Sequence, residues 1–91
     1  MKAIRRTIWF SGMVQGVGFR YTTRAVAAGF EVCGYVRNAP DGRVELIVEG
    51  NPGEVDRFQS AVADALSAHI ESIEASDAAA TGEYQDFTIR H

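Results

Sequence analysis

The sequence predicts an α+β domain: one mainly antiparallel sheet with two helices on one face, in the order strand, helix, strand, strand, helix, strand. Three observations predict it. Apolar and polar residues alternate near the start and in the middle of the chain, the period of half-buried strands. Two other stretches carry apolar residues at helical spacing. Between two of the alternating runs, Pro40-Asp41-Gly42 supplies turn chemistry. The 91 residues contain no repeat, low-complexity run or linker, so residues 1–91 are expected to form a single domain.

The elements follow in order. Residues 4–11, IRRTIWFS, place Ile4, Ile8 and Phe10 on one face of a strand. From Phe19 onward, Phe19, Thr22 or Thr23, Val26 and Phe30 recur at helical spacing, and Gly29 is the expected stop, in a left-handed conformation. Phe30, Val32, Gly34 and Val36 then alternate with Glu31, Cys33, Tyr35 and Arg37; Val44, Leu46 and Val48 alternate with Glu45, Ile47 and Glu49. Residues 30–50 therefore read as a hairpin. Asn51 is a good N-cap for a second helix, Pro52 suits its first position, and Glu54 stands where a capping box has its acid. Val55, Phe58, Val62 and Leu66 make that helix's apolar stripe. Two weaker strands follow, about 70–76 and 84–90, so the order allows one further short strand. This is the split, ferredoxin-like βαββαβ sandwich.

Composition narrows the function classes. The apolar fraction is 46%, ordinary for a globular chain, and no apolar run approaches the roughly 18 residues of a membrane span. The start, Met1-Lys2-Ala3-Ile4-Arg5-Arg6, lacks the apolar core of a secretory signal, so a cytoplasmic protein without membrane contact is expected. The lone Cys33 cannot form an internal disulfide. The net charge of -3 hides an asymmetry. Through Arg43, seven bases face Glu31 and Asp41, a balance of +5; from Val44 onward, Arg57 and Arg90 face ten acids, a balance of -8. A basic front half suits a small anionic substrate, while the acidic whole argues against a nucleic-acid partner.

The chemistry concentrates in Gly12-Met13-Val14-Gln15-Gly16-Val17-Gly18, between the first strand and the first helix. Gly16 and Gly18 adopt positive φ easily, and such a loop can turn successive N–H groups inward around an anion. The following helix adds its own free N–H groups and its positive end. Arg20 is out of place by local rules: a cation in the first turn opposes the helix dipole by about 0.3–1 kcal/mol. Arg24, four residues on, adds a like-charge pair. A bound phosphate reverses both penalties, and the guanidinium fork holds two phosphate oxygens. On pattern alone, a glycine-rich turn beside a solvated arginine explains the stretch equally well. The third glycine of the dinucleotide fingerprint and the GK[ST] of a Walker loop are both missing.

Taken together, "GMVQGVGFR" at 12–20 and "GYVRNAPDGRVE" at 34–45 closely resemble two linked motifs of the acylphosphatase family. The first is similar to its phosphate-binding loop, GxVQGVGFR, with Met13 where arginine or another polar residue is common. The second is similar to its GxVxNxxDGxVE segment, which carries the catalytic asparagine. Nearly the whole chain is covered, although Ala78-Ala79-Ala80 matches no motif. The resemblance implies a ferredoxin-like fold and hydrolysis of a carboxyl–phosphate mixed anhydride to a carboxylate and phosphate. It carries phosphate binding to Gln15, Gly16, Val17, Gly18, Phe19 and Arg20, and the positioning of the attacking water to Asn38. Arg20 and Asn38 are then the catalytic pair. On turn statistics alone, Asn38 is simply a hairpin residue, and Asp41 and Gly42 keep that structural role.

The remaining residues suggest no rival chemistry. No His, Cys, Asp or Glu group has metal-ligand spacing, so neither metal nor cofactor is expected. His69 reads as structural or surface, His91 as a frayed end, Cys33 as a packed thiol, and the carboxylates after Val44 as solvated. Trp9, Phe10 and Tyr35 read as packed strand residues rather than a stacking platform. The competing function is a non-catalytic module binding phosphate or carbamoyl phosphate, like the domain at the N-terminus of hydrogenase-maturation carbamoyltransferases. A free-standing, monomeric enzyme acting on a small molecule is the expectation. A single-strand RNA binder shares the strand–helix order, but "RVELIVEG" offers acids and aliphatics where exposed aromatics are needed.

Overall fold

The computed structural model describes residues 2–91. Its elements are β1 (Ile4–Gly12), α1 (Phe19–Ala27), β2 (Cys33–Asn38), β3 (Val44–Gly50), α2 (Pro52–Ala65), β4 (Ile70–Ala79) and β5 (Phe87–Arg90). The strands form one sheet in the order β4-β1-β3-β2-β5, antiparallel throughout except for β2 beside β5. The ferredoxin-like α+β sandwich is therefore present, and β5 is the short additional strand. No helix among the described residues is long and apolar enough to cross a membrane.

The core lies between the sheet and the two helices. Ile8 and Phe10 of β1, Val36 of β2 and Val44, Leu46 and Val48 of β3 meet Phe19 of α1 and Val55, Phe58 and Val62 of α2, all buried. The alternation that predicted the strands is thus the alternation between the two faces of the sheet. Phe58 sits at the centre of this contact, with Phe30 at 5.9 Å and Phe87 at 5.6 Å between ring centroids. Arg6 shares the inner face of β1 but lies at its margin, where it bonds Asp77 of β4 and Asp56 of α2, both at 2.7 Å.

Three local expectations are corrected. The first helix ends at Ala27, and Gly29 does not take positive φ. The chain leaves instead through tightened turns, with Gly29 N–H donating to Val26 and Phe30 N–H to Ala27. The second helix is capped by Asn51, whose side chain accepts from Gly53 N–H at 3.1 Å, with Pro52 at the first position. Glu54, however, does not close a capping box: it accepts from the Glu31 N–H at 2.8 Å and from Arg57. It ties the entry of the hairpin to the helix rather than capping its own turn.

The third correction concerns Glu49, expected to be solvated but only 3% exposed. It lies on the sheet face opposite the helices and is covered by the segment linking β4 to β5. Its carboxylate accepts from Thr81 N–H at 2.8 Å, Thr81 Oγ1 at 2.9 Å, Gly82 N–H at 3.0 Å and Arg5 Nε at 3.2 Å. Burial pushes this carboxyl up, but the four donors outweigh it and hold it below the usual range. One buried anion therefore anchors the crossing from one edge of the sheet to the other. Tyr84, further along that crossing, packs on Tyr35 at 5.9 Å.

Candidate active site

The sheet register brings the two motifs together. Phe10 and Asn38 both pair with Val44, from opposite sides of β3. They occupy one row of the sheet, separated by two strand spacings of about 4.8 Å each. Because β1 and β2 each run antiparallel to β3, their C-terminal ends lie at the same end of the sheet. The glycine loop leaves β1 there, and Asn38 ends β2 there. Phe10 and Val44 face the helices, so Asn38 faces the start of α1.

The two loop glycines take the positive φ expected of them. Gly16 has φ 77° and Gly18 has φ 76°, and a Cβ at either would meet nothing within 4 Å. Conformation alone, not crowding, selects glycine at these two positions. Gly12 serves a different purpose, since a Cβ there would stand 2.6 Å from the His69 carbonyl oxygen, where β1 and β4 shift register. Gly18 is the N-cap of α1 and has no side chain to satisfy the first-turn N–H groups, and no acid stands in that turn. The helix is held from within by Phe19, which packs on Phe10 at 5.0 Å and accepts from Thr23 Oγ1 at 2.8 Å. Its free N–H groups and positive end therefore face outward at the loop.

Val14, Gly16, Gly18, Phe19, Arg20, Tyr21 and Asn38 line a cavity of about 90 Å³. That is well below the roughly 300–1,000 Å³ of pockets that enclose a whole organic ligand. It is sized for a small head group. Arg20 is half-buried and forms no ion pair with a carboxylate among the described residues. Its Nη1 contacts the Arg90 carbonyl oxygen and the His91 Nδ1, each at 3.3 Å. The His91 ring is thus held beside Arg20 rather than free, a correction to its reading as a frayed end. The Asn38 Oδ1 is buried and has no hydrogen-bond partner. An unpaired buried acceptor is destabilising by about 1–3 kcal/mol, and such orphans concentrate at functional sites.

The expected site residues are distributed unevenly. Gly16, Gly18, Phe19, Arg20 and Asn38 all line the cavity. The side chain of Val17 is exposed and lies outside the lining. Gln15 is turned toward the hairpin, donating from Nε2 to the Ala39 carbonyl at 2.8 Å and the Arg43 carbonyl at 3.0 Å. Sequence reasoning missed Val14 and Tyr21. Val14 reads as a loop residue yet is fully buried, and Tyr21 lines the cavity only because it follows Arg20 into the first turn of α1.

The hairpin tip is braced on its other side. Arg43 lies 4.1 Å over the Trp9 ring and bonds Asp41 at 2.8 Å, while Asp41 also accepts from the Arg43 N–H. These bonds, the backbone N–H first, hold the Asp41 carboxyl below its usual range. The thiol of Cys33 lies at the far end of β2 and is pushed up by burial, which leaves it a poor nucleophile. Among the described residues, no three His, Cys, Asp or Glu side chains are close enough together to hold a metal ion.

Comparison with known proteins agrees with this geometry. A family model described as Acylphosphatase matches residues 6–89. A Thermotoga maritima protein named "Acylphosphatase" is 41% identical over 91 residues, covering 100% of this chain and 99% of that one. A Gloeobacter violaceus protein of the same name is 53% identical over 56 residues, a match spanning 62% of this chain and 60% of its relative. The crystal structure of an acylphosphatase from Bacillus subtilis superposes with a TM-score of 0.86 at 29% identity, covering 97% of this chain and 99% of that one.

Proposed function

The chain belongs to the acylphosphatase family, and we propose that it hydrolyses the carboxyl–phosphate bond of acyl phosphates in the cavity between the glycine loop and Asn38. The observation that supports the site assignment is the orphaned Asn38 Oδ1, a buried acceptor on a residue that lines a phosphate-sized cavity. A water donating to Oδ1 removes its desolvation penalty and becomes fixed in place. The asparagine Nδ2 can donate to the same water or to the substrate.

The reaction needs few groups. The leaving carboxylate has a conjugate acid of pKa about 4, so it departs without a general acid. Phosphoryl transfer runs through a loose transition state with charge spread over the phosphoryl oxygens. Loop N–H groups, the first turn of α1 and the Arg20 fork face that charge and stabilise it without reorganising. The water held by Asn38 attacks phosphorus in line, opposite the carboxylate. An amide is a poor base, so the water's proton passes to a phosphoryl oxygen. The products are a carboxylate and inorganic phosphate.

The protein is proposed to act as a monomer on a small molecule; its net charge of -3 supports a partner other than nucleic acid. A single half-buried thiol fits the cytoplasm as the compartment. The test is hydrolysis of benzoyl phosphate in a chelator, with inorganic phosphate as a competing ligand. Asn38→Ala is expected to lower kcat by about 10²–10³ while phosphate inhibition persists. Full activity in Asn38→Ala would remove the water-holding role, and phosphate binding without turnover in the natural chain would favour the non-catalytic module.

A further inference from the structure

We infer that Gln15 is a positioning residue: its carboxamide locks the β2–β3 turn against the phosphate loop and so sets where Asn38 holds the water. The inference rests on the role proposed above for Asn38. The two Nε2 hydrogens have two acceptors, the Ala39 and Arg43 carbonyls at 2.8 and 3.0 Å. Those carbonyls belong to the two ends of the turn, which also closes on itself. Ala39 N–H donates to Arg43 at 2.8 Å, and Gly42 N–H to Ala39 at 3.2 Å. Ala39 is buried and directly follows Asn38. The side chain of one loop is thus a cross-link to the residue beside the water-holder of the other.

The same geometry removes the Gln15 side chain from the phosphate itself. With both amide hydrogens aimed at the turn, the polar atom left over is Oε1, an acceptor that an anion repels. Only the Gln15 backbone N–H remains for the cradle. The fold does not depend on the cross-link either. Gln15 is exposed, and the turn is independently braced by Arg43 on Trp9 and by Asp41. What the two bonds add is a fixed distance between loop and hairpin. A misplacement of about 1 Å in a near-attack arrangement lowers turnover by as much as 10²-fold.

The test uses Gln15→Met, which keeps the length of the side chain without its donors, and Gln15→Ala as a second variant. Each is measured for kcat on benzoyl phosphate, for competitive inhibition by inorganic phosphate and for urea midpoint. The expected result is a kcat lowered by about 10–100-fold with phosphate inhibition within about twofold of the parent. In an Asn38→Ala background, Gln15→Met should change kcat by less than about twofold, because its route of action is gone. Phosphate inhibition weakening in step with kcat would make Gln15 a phosphate ligand and overturn the inference. So would an undiminished effect in the Asn38→Ala background, or unchanged kcat in Gln15→Met. Those failures leave the water-holding reading intact as long as Asn38→Ala is itself impaired; a fully active Asn38→Ala would fell both.

Discussion

Replacing Arg20 by alanine should make the protein less active and more stable at once. Arg20 stands in the first turn of α1 with no acid beside it and no carboxylate partner among the described residues. Its removal therefore strands no buried charge. It relieves an unfavourable charge–dipole contact of about 0.3–1 kcal/mol. The contacts it gives up, to the Arg90 carbonyl and to His91 Nδ1, are both exposed and 3.3 Å long, too long to offset much. For a domain of this length, that relief raises Tm by about 1–8 °C. On the functional side, two charge-assisted bonds to phosphoryl oxygens contribute about 1.5–3 kcal/mol each. Their joint loss corresponds to about 10²–10⁴ in kcat/KM. The assay is benzoyl phosphate hydrolysis together with thermal unfolding in a buffer free of phosphate and sulfate. Adding phosphate at about 100 times its Kd should then stabilise the parent by about 2.7 kcal/mol and the variant by much less. A variant that melts lower than the parent yet keeps its kcat/KM would refute the reasoning. Arg20 would then be a tie between α1 and the last strand, not a phosphate ligand.

Three further outcomes follow from the same geometry. Gly18→Ala forces a side chain into φ 76° without steric contact, so it should lower stability by about 1–2 kcal/mol in urea unfolding and weaken inhibition by phosphate. Glu49→Gln should cost about 1.5–3 kcal/mol at pH 7, the value of a hydrogen bond to a charged group. Because the folded Glu49 carboxyl lies below its unfolded value of about 4.3, its contribution is present above that pH and lost as pH falls through the folded value. The gap between Glu49→Gln and the parent should accordingly narrow in urea titrations as pH falls below the unfolded value. Hydrolysis of benzoyl phosphate should be unchanged by a chelator; activity lost to the chelator and restored by a divalent cation would overturn the metal-free mechanism.

The parts of the molecule legible in the sequence are those governed by neighbours in the chain. Val44, Leu46 and Val48 announce the inner face of β3, and Val55, Phe58, Val62 and Leu66 that of α2, because period alone encodes which side is buried. Asn51-Pro52 marks the start of α2 because a cap acts within two residues. Glu54 and Glu49 escaped the same reasoning because the backbone N–H groups they accept from lie 23 and 32 or more residues away. Gly29 misled because a glycine near a helix end is permitted, not obliged, to take positive φ. At the site, Arg20 was legible because a cation in a first helical turn breaks a local rule, Gly16 and Gly18 because glycine permits positive φ, and Asn38 only through the resemblance of its segment to the family's motif. The direction of the Gln15 side chain was not legible, since nothing local tells an amide which of two neighbouring loops to face.

The register explains why so small a fold can hold such a site at all. Asn38 belongs to a strand, so its direction is decided by pairing with Val44 and not by loop conformation. A slip of one residue between β2 and β3 would turn Asn38 to the face opposite the helices and put Arg37 in its place. The core forbids that slip, because Val36 would leave the buried face together with it. Phe10 is fixed by the same row, and through its contact with Phe19 it fixes the first turn of α1. Hydrophobic pairing thus sets the distance between Asn38 and the glycine loop before any polar contact is made. Gln15 then needs to supply only the last increment of precision, through two hydrogen bonds at the protein surface.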